Sequence, residues 1–136
     1  MNAPRDRRSS VLIVDNDDHA LTFLETLVKN EGFDSRTTWS GHEALALIES
    51  RPFDVVLVNN HLPDLYYGDF LKRASRQVPH PYIVVMQKGK PLPGAMRRHK
   101  TLGAVAVVDK KDTEQIRQML AARHFAASAQ FPSINP

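Results

Sequence analysis

Apolar and polar residues along this chain follow two rhythms, and the switches between them mark out ten elements. Val11–Val14 is a continuous apolar run, the pattern of a strand buried on both faces. Asp15, Asn16 and Asp17 follow, and Asp18 is the expected N-cap of a helix. In that helix Leu21, Leu24, Leu27 and Val28 recur at helical spacing until Gly32 stops it. Phe33–Thr38 reads as a second, more polar strand. Ser40 and Glu43 form the capping-box pattern S-x-x-E, opening a helix that buries Ala44, Leu45 and Ile48 and ends at Arg51-Pro52. Val55–Val58 is another apolar strand, followed by the turn residues HLPD. A helix is expected from Tyr67 to Gln77, with Phe70, Leu71 and Ala74 facing inward, and then an apolar strand over Tyr82–Met86. The stretch QKGKPLPGAMRRHK holds two prolines and two glycines, which leave room for at most a short helix from about Gly94 to Leu102. Val105–Val108 is the last strand. Asp112 should cap a final helix with Ile116, Met119 and Leu120 as its apolar stripe.

Apolar strands alternating with amphipathic helices at this spacing are βαβ units, whose right-handed crossovers give a parallel sheet covered on both sides. The expected fold is a flavodoxin-like, doubly wound (βα)5 sandwich with a five-stranded parallel sheet. One domain should occupy residues 10–125, between a flexible N-terminal tail over 1–9 and a C-terminal tail or linker over 126–136. In open sheets of this kind ligands bind beyond the carboxyl ends of the strands. Those ends carry Asp15, Asn16 and Asp17; Asn59 and Asn60; Met86 and Gln87; and Asp109 and Lys110.

Composition narrows the function classes. With 42% hydrophobic and 24% charged residues the chain should be globular. It has no cysteine, which rules out a disulfide framework, a thiolate metal site and a cysteine nucleophile. No apolar run approaches the roughly 20 residues of a membrane helix, and the charged start MNAPRDRRSS lacks the apolar core of a signal peptide. A cytoplasmic protein without membrane contact is expected. The net charge of +3 hides an asymmetry: residues 11–87 sum to −5, while residues 88–111 sum to +6.

Three of the strand-end segments resemble the motifs of bacterial response-regulator receiver domains. VLIVDNDDH is similar to their first strand with its pair of acids, and DVVLVNNHLPD to the third strand, where D-x-x-[LM]-P carries the phosphoaccepting aspartate. LGAVAVVDK is similar to the G-A-x5-K that ends in a lysine. The resemblance spans about residues 10–125. It implies that Asp15 and Lys110 are retained and that the pocket is otherwise degenerate. Asn59 stands at the phosphoacceptor position and Asn16 at the acid that ligates Mg²⁺. Met86 replaces the phosphoryl-contacting hydroxyl, Val107 the rotating aromatic, and Lys111 the proline after the lysine. A neutral amide is no nucleophile. With Asp15 facing Lys110 alone, unless Asp17 turns inward, the site has no charge with which to concentrate a hard divalent cation. No cofactor and no resident metal are expected, and Mg²⁺ binding should be weak or absent. Asp15 and Lys110 should form a partly buried ion pair. His61 reads as a loop residue, Tyr66 and Tyr67 as solvent-edge aromatics or a recognition patch beside the pocket, and Trp39 as partly buried against the neighbouring helix.

The expectation is a pseudo-receiver: a phosphorylation-independent interaction module of two-component (phosphorelay) signalling and not an enzyme. No Gly-rich phosphate loop follows the first strand, and no nucleophile–base pair stands at the strand ends. The expected partner-binding face is the basic segment, with Lys88, Lys90, Arg97, Arg98, Lys100 and Lys111. Leu92, Met96 and Leu102 lie among these charges. A kinase, another receiver or an output protein fits the resemblance, and a homodimer is open. The alternative is a nucleic-acid-binding domain using residues 88–111, in line with a pI near 9.4. It ranks lower because no reading module follows and charge alone specifies no base sequence.

Overall fold

A computed structural model describes residues 9–129, the last six as backbone only. The chain runs β1 (Ser10–Val14), α1 (Asp18–Asn30), β2 (Asp34–Thr38), α2 (Gly41–Ser50), β3 (Val55–Asn59), α3 (Tyr67–Ala74), β4 (Tyr82–Gln87), α4 (Ala95–Thr101), β5 (Ala106–Asp109) and α5 (Thr113–Ala129). The five strands form one parallel sheet in the order β2-β1-β3-β4-β5. Because successive side chains of a strand point to opposite faces, the apolar runs feed two cores. Leu12, Val14, Val56, Val58, Val85 and Val107 pack under α2, α3 and α4. Val11, Ile13, Leu57, Val84, Met86 and Val108 pack under α1 and α5. This is the doubly wound sandwich expected from the apolar pattern.

Local chemistry sets where the elements end, and several ends differ from expectation. The N-cap of α1 is Asp17, one residue early: its extended backbone lets the carboxylate accept from His19 N at 3.0 Å. Helix α3 ends at Ala74, three residues short of Gln77. Arg76 N and Gln77 N turn to carbonyls three residues back, and Ser75 Oγ donates to the Lys72 carbonyl. Only half of the α2 capping box forms. Ser40 Oγ accepts from Glu43 N at 3.0 Å, but the Glu43 carboxylate accepts from the Thr38 hydroxyl, which itself accepts from Ser40 N. Helix α4 is seven residues long and begins after Pro93, as the prolines dictate. Asp112 caps α5 by accepting from Gln115 N. That helix continues to Ala129, past the boundary expected at 125. Residues 1–8 and 130–136 of the expected tails lie outside the described residues.

Trp39 corrects another expectation, being 59% exposed. Thr38 is the last inward residue of the edge strand β2, so alternation sends the next side chain outward.

Gly103 closes α4 with φ +104, and Ala104 N donates to the carbonyl of His99, five residues back. A Cβ there would also stand 2.4 Å from Ser75 Cβ, whereas at Gly94, with φ +86, it would meet nothing within 4 Å. Gly94→Ala should therefore cost only the left-handed backbone strain, about 1–2 kcal/mol. Gly103→Ala should cost clearly more, because Ser75 must also move. Urea denaturation of both variants checks the order; equal losses would remove the close approach at Gly103 as its cause.

Candidate functional site

At the carboxyl end of the sheet Asn59 and Met86, in the last residues of β3 and β4, come together with Asp15 and Lys110, just past β1 and β5. Asp15 is wholly buried, and Lys110 Nζ lies 2.7 Å from its Oδ2, with the Lys110 side chain 16% exposed. Asp15 Oδ1 accepts from Asp17 N at 3.1 Å. The ion pair expected between these residues is present. Asp17 does not turn inward: it is exposed and engaged in capping α1.

Asn59, 6% exposed, closes the other half of the pocket. Its Nδ2 donates to the His61 carbonyl at 3.0 Å and to Asn16 Oδ1 at 3.2 Å. Met86 pairs with Asn59 across the β3–β4 ladder and is fully buried in the α1/α5-side core. Val107 is buried on the opposite face, in the cluster that holds Ala95 and Tyr67.

These residues do not fit a divalent cation. The one buried carboxylate already carries an ammonium and an amide N–H. Asn16 contributes a neutral oxygen that faces a donor, and the second strand end presents N–H rather than oxygen. A hard cation favours several oxygen ligands, carboxylates foremost. Among the described residues no group of three or more His, Asp or Glu side chains is placed to hold a metal.

Two polar contacts escaped the sequence reading. Asp64, exposed just after Pro63, accepts from Gly41 N at 2.8 Å, His42 N at 3.0 Å and Ser40 Oγ at 2.8 Å. Partial burial pushes its carboxyl up, but the His42 and Gly41 amides and the Ser40 hydroxyl outweigh this and hold it below its ordinary value. Asp64 thus anchors the β3–α3 loop to the start of α2. The second contact is His99, buried in α4 among cations. Its Nδ1 lies 2.7 Å from the Ala95 carbonyl, which can only accept, so Nδ1 carries the proton. Nε2, at the other side of the ring, lies 3.1 Å from the Tyr67 hydroxyl. Burial, with the Tyr66 phenol beside it, pushes the Tyr67 hydroxyl up against the pull of Arg98, which keeps it a donor. The i, i+4 spacing of Ala95 and His99 was the available signal, since it places the imidazole on the inward stripe of α4.

The expected face is exposed throughout. Lys88 and Lys90 lie on the β4–α4 loop, Arg97, Arg98 and Lys100 on α4, and Lys111 beyond β5. Arg97 and Lys100 line a shallow open depression with Gly94, Met96 and Thr101, whereas Arg98 sits on the flank beside Tyr67. None of the six is ion-paired with a described carboxylate. Leu92 and Met96 are exposed among them, and Leu102 is half-buried. His61 is exposed on its loop, Tyr66 is 65% exposed, and Tyr67 is half-buried.

The model of the response regulator receiver domain matches residues 11–121. The chain belongs to that family. Receiver domains are the signalling modules of two-component systems, not enzymes, and their partners are kinases and output domains. SgaR of Hyphomicrobium methylovorum, described as a probable transcriptional regulatory protein, is 30% identical over 118 residues, covering 85% of this chain and 56% of SgaR. This receiver chain thus spans about half the length of that relative. Its fold is shared with the receiver domain of Francisella response regulator 1452 (TM-score 0.78, 19% identity, 88% of this chain and 98% of that one). The CheY-like receiver domain protein of Methanospirillum hungatei is similar too (TM-score 0.74, 23% identity, 88% and 99%). Among the described residues no helix is long and apolar enough to cross a membrane.

Removing one partner of the buried pair leaves an uncompensated charge, which typically costs about 3–5 kcal/mol. Lys110→Met should destabilise the receiver by about that much. Asp15→Leu combined with Lys110→Met should recover a large part of the loss, a non-additivity that chemical denaturation of the double-mutant cycle reads directly. Additive losses would mean that the two groups do not depend on each other.

Proposed function

We propose that this receiver is a phosphorylation-independent interaction module: a pseudo-receiver that signals by contact rather than by accepting a phosphoryl group. The observation that carries this is the hydrogen bonding of Asn59, whose amide nitrogen is turned toward two oxygen acceptors at the place where phosphoryl transfer requires a carboxylate nucleophile. Met86 and Asn16 support it, since neither supplies the hydroxyl or the charge that the transfer uses. Incubation with acetyl phosphate and Mg²⁺ should leave the intact mass unchanged, and Asn59→Asp alone should not restore transfer, because Met86 and Asn16 remain. A stoichiometric gain of one phosphoryl group mapped to this pocket would end the reading.

The working surface we infer is the basic face, and its partner an acidic protein surface such as a kinase, another receiver or an output protein. Uncompensated cations around exposed Leu92 and Met96 favour a partner that supplies carboxylates at the rim and an apolar contact at the centre. A two-fold pairing of this face would set Arg97, Arg98 and Lys100 against their own copies, which disfavours a symmetric homodimer here. Opposed charge on the two surfaces raises association rates more than affinity. Reversing Arg97, Arg98 and Lys100 to glutamate should therefore slow association with the partner strongly at low salt and much less at high salt, with folding intact.

The same cations favour the nucleic-acid reading, and a salt series with random duplex DNA separates the two. Weak, easily screened affinity is expected. About micromolar binding at physiological salt, with a steep salt slope, would replace the protein reading.

A further inference from the structure

The two acceptors held by the Asn59 amide belong to different loops. Asn16 lies between β1 and α1, and His61 lies between β3 and α3. A backbone carbonyl only accepts, so the contact with His61 fixes the nitrogen, not the oxygen, as the end of the amide that points there. Around it, Asp15 is already matched by Lys110, and Met86 offers no polar atom. We propose that the Asn59 amide is a built-in substitute for a bound cation: it draws Asn16 Oδ1 and the His61 carbonyl to one centre, ties the two loops together, and closes the pocket to divalent metal.

The chemistry is that of a donor standing where a cation would otherwise gather oxygens. Two N–H groups satisfy two oxygen lone pairs without adding charge, so the arrangement needs no counterion and does not depend on metal concentration. A carboxylate in the same position has no N–H to offer. It would face the His61 carbonyl as a second acceptor and that bond would be lost; unless the exposed Asn16 amide turned its nitrogen inward, its Oδ1 would make a third, and a cation would become the group best able to satisfy the oxygens. The inference rests on the Asn59 contacts and needs neither the acidic partner nor the basic face. It shares those contacts with the proposed lack of phosphoryl transfer, but loop tying and metal exclusion are read by melting rather than by transfer, so an Asn59 that merely fails to accept a phosphoryl group is distinguishable from one that stands in for a cation.

The test is the melting temperature of the whole chain as wild type, Asn59→Asp and Asn59→Ala, each in EDTA and in excess Mg²⁺. Wild type should be indifferent to Mg²⁺. In EDTA both variants should melt lower, Asn59→Asp by about 10 °C. Mg²⁺ should return at least half of the loss to Asn59→Asp and nothing to Asn59→Ala. The proposal is overturned by a wild type that gains stability with Mg²⁺, by an Asn59→Asp variant as stable as wild type in EDTA, or by one that Mg²⁺ does not rescue. Rescue of Asn59→Ala to the same extent would overturn it as well. Should either variant fail to fold, Mn²⁺ titration of the wild type followed by NMR decides. The Asn59 and Asn16 side-chain amide signals should stay sharp, and their selective broadening would show a pocket still open to cations.

Discussion

Burial of the Asp15 carboxylate at the end of β1 is the constraint from which the arrangement of the pocket follows. A carboxylate with no solvent contact must be neutralised, and Lys110, arriving from the end of β5, does so at 2.7 Å. The pair ties the second strand of the sheet to its far edge across β3 and β4. Because the lysine is spent on that task, no positive charge remains free in the pocket. The Asp15 carboxylate is spent on the same pair, and Asp17 beside it is turned to cap α1. The remaining polar groups are neutral and satisfy one another, with the Asn59 amide donating to Asn16 and to the His61 carbonyl.

The proposed lack of phosphoryl transfer rests on a pocket whose described side chains hydrogen-bond to one another. The elements around it are fixed by contacts of their own. Asp64 holds the β3–α3 loop to the start of α2. Tyr67 and His99 join α3 to α4 above the cluster containing Val107. Cations with no ion-pair partner among the described residues stand instead on the β4–α4 loop and the outer face of α4, where two prolines shorten the helix and Leu92 and Met96 are exposed. That contrast between a satisfied pocket and an unsatisfied face underlies the proposal that the receiver works through contact.

Much of this was legible in the sequence because it depends on patterns that local chemistry cannot disguise. Strands buried on both faces must be apolar throughout, so Val11–Val14 and Val55–Val58 gave themselves away, and the prolines before Gly94 limited α4. The Asp15–Lys110 pair was legible because both charges sit at ends of buried strands. Less legible was anything that turns on which atom of a side chain faces which neighbour. Asn59 was readable as an amide at the end of a buried strand but not as a donor to two loops. Asp64 looks like any turn acid until its bonds to α2 are seen. His99 hides among cations, and Trp39 turns outward as the residue next after inward-facing Thr38.

Amide chemical shifts of the 15N-labelled domain during titration with beryllofluoride and Mg²⁺ test the central claim most directly. In a receiver that accepts phosphoryl groups this anion mimics the modified aspartate, so any surviving competence would move the strand-end signals. The amides of Asn59, Asn60 and Lys110 should stay where they are at saturating additions. Saturable shifts centred on those residues and spreading into α4 would contradict it.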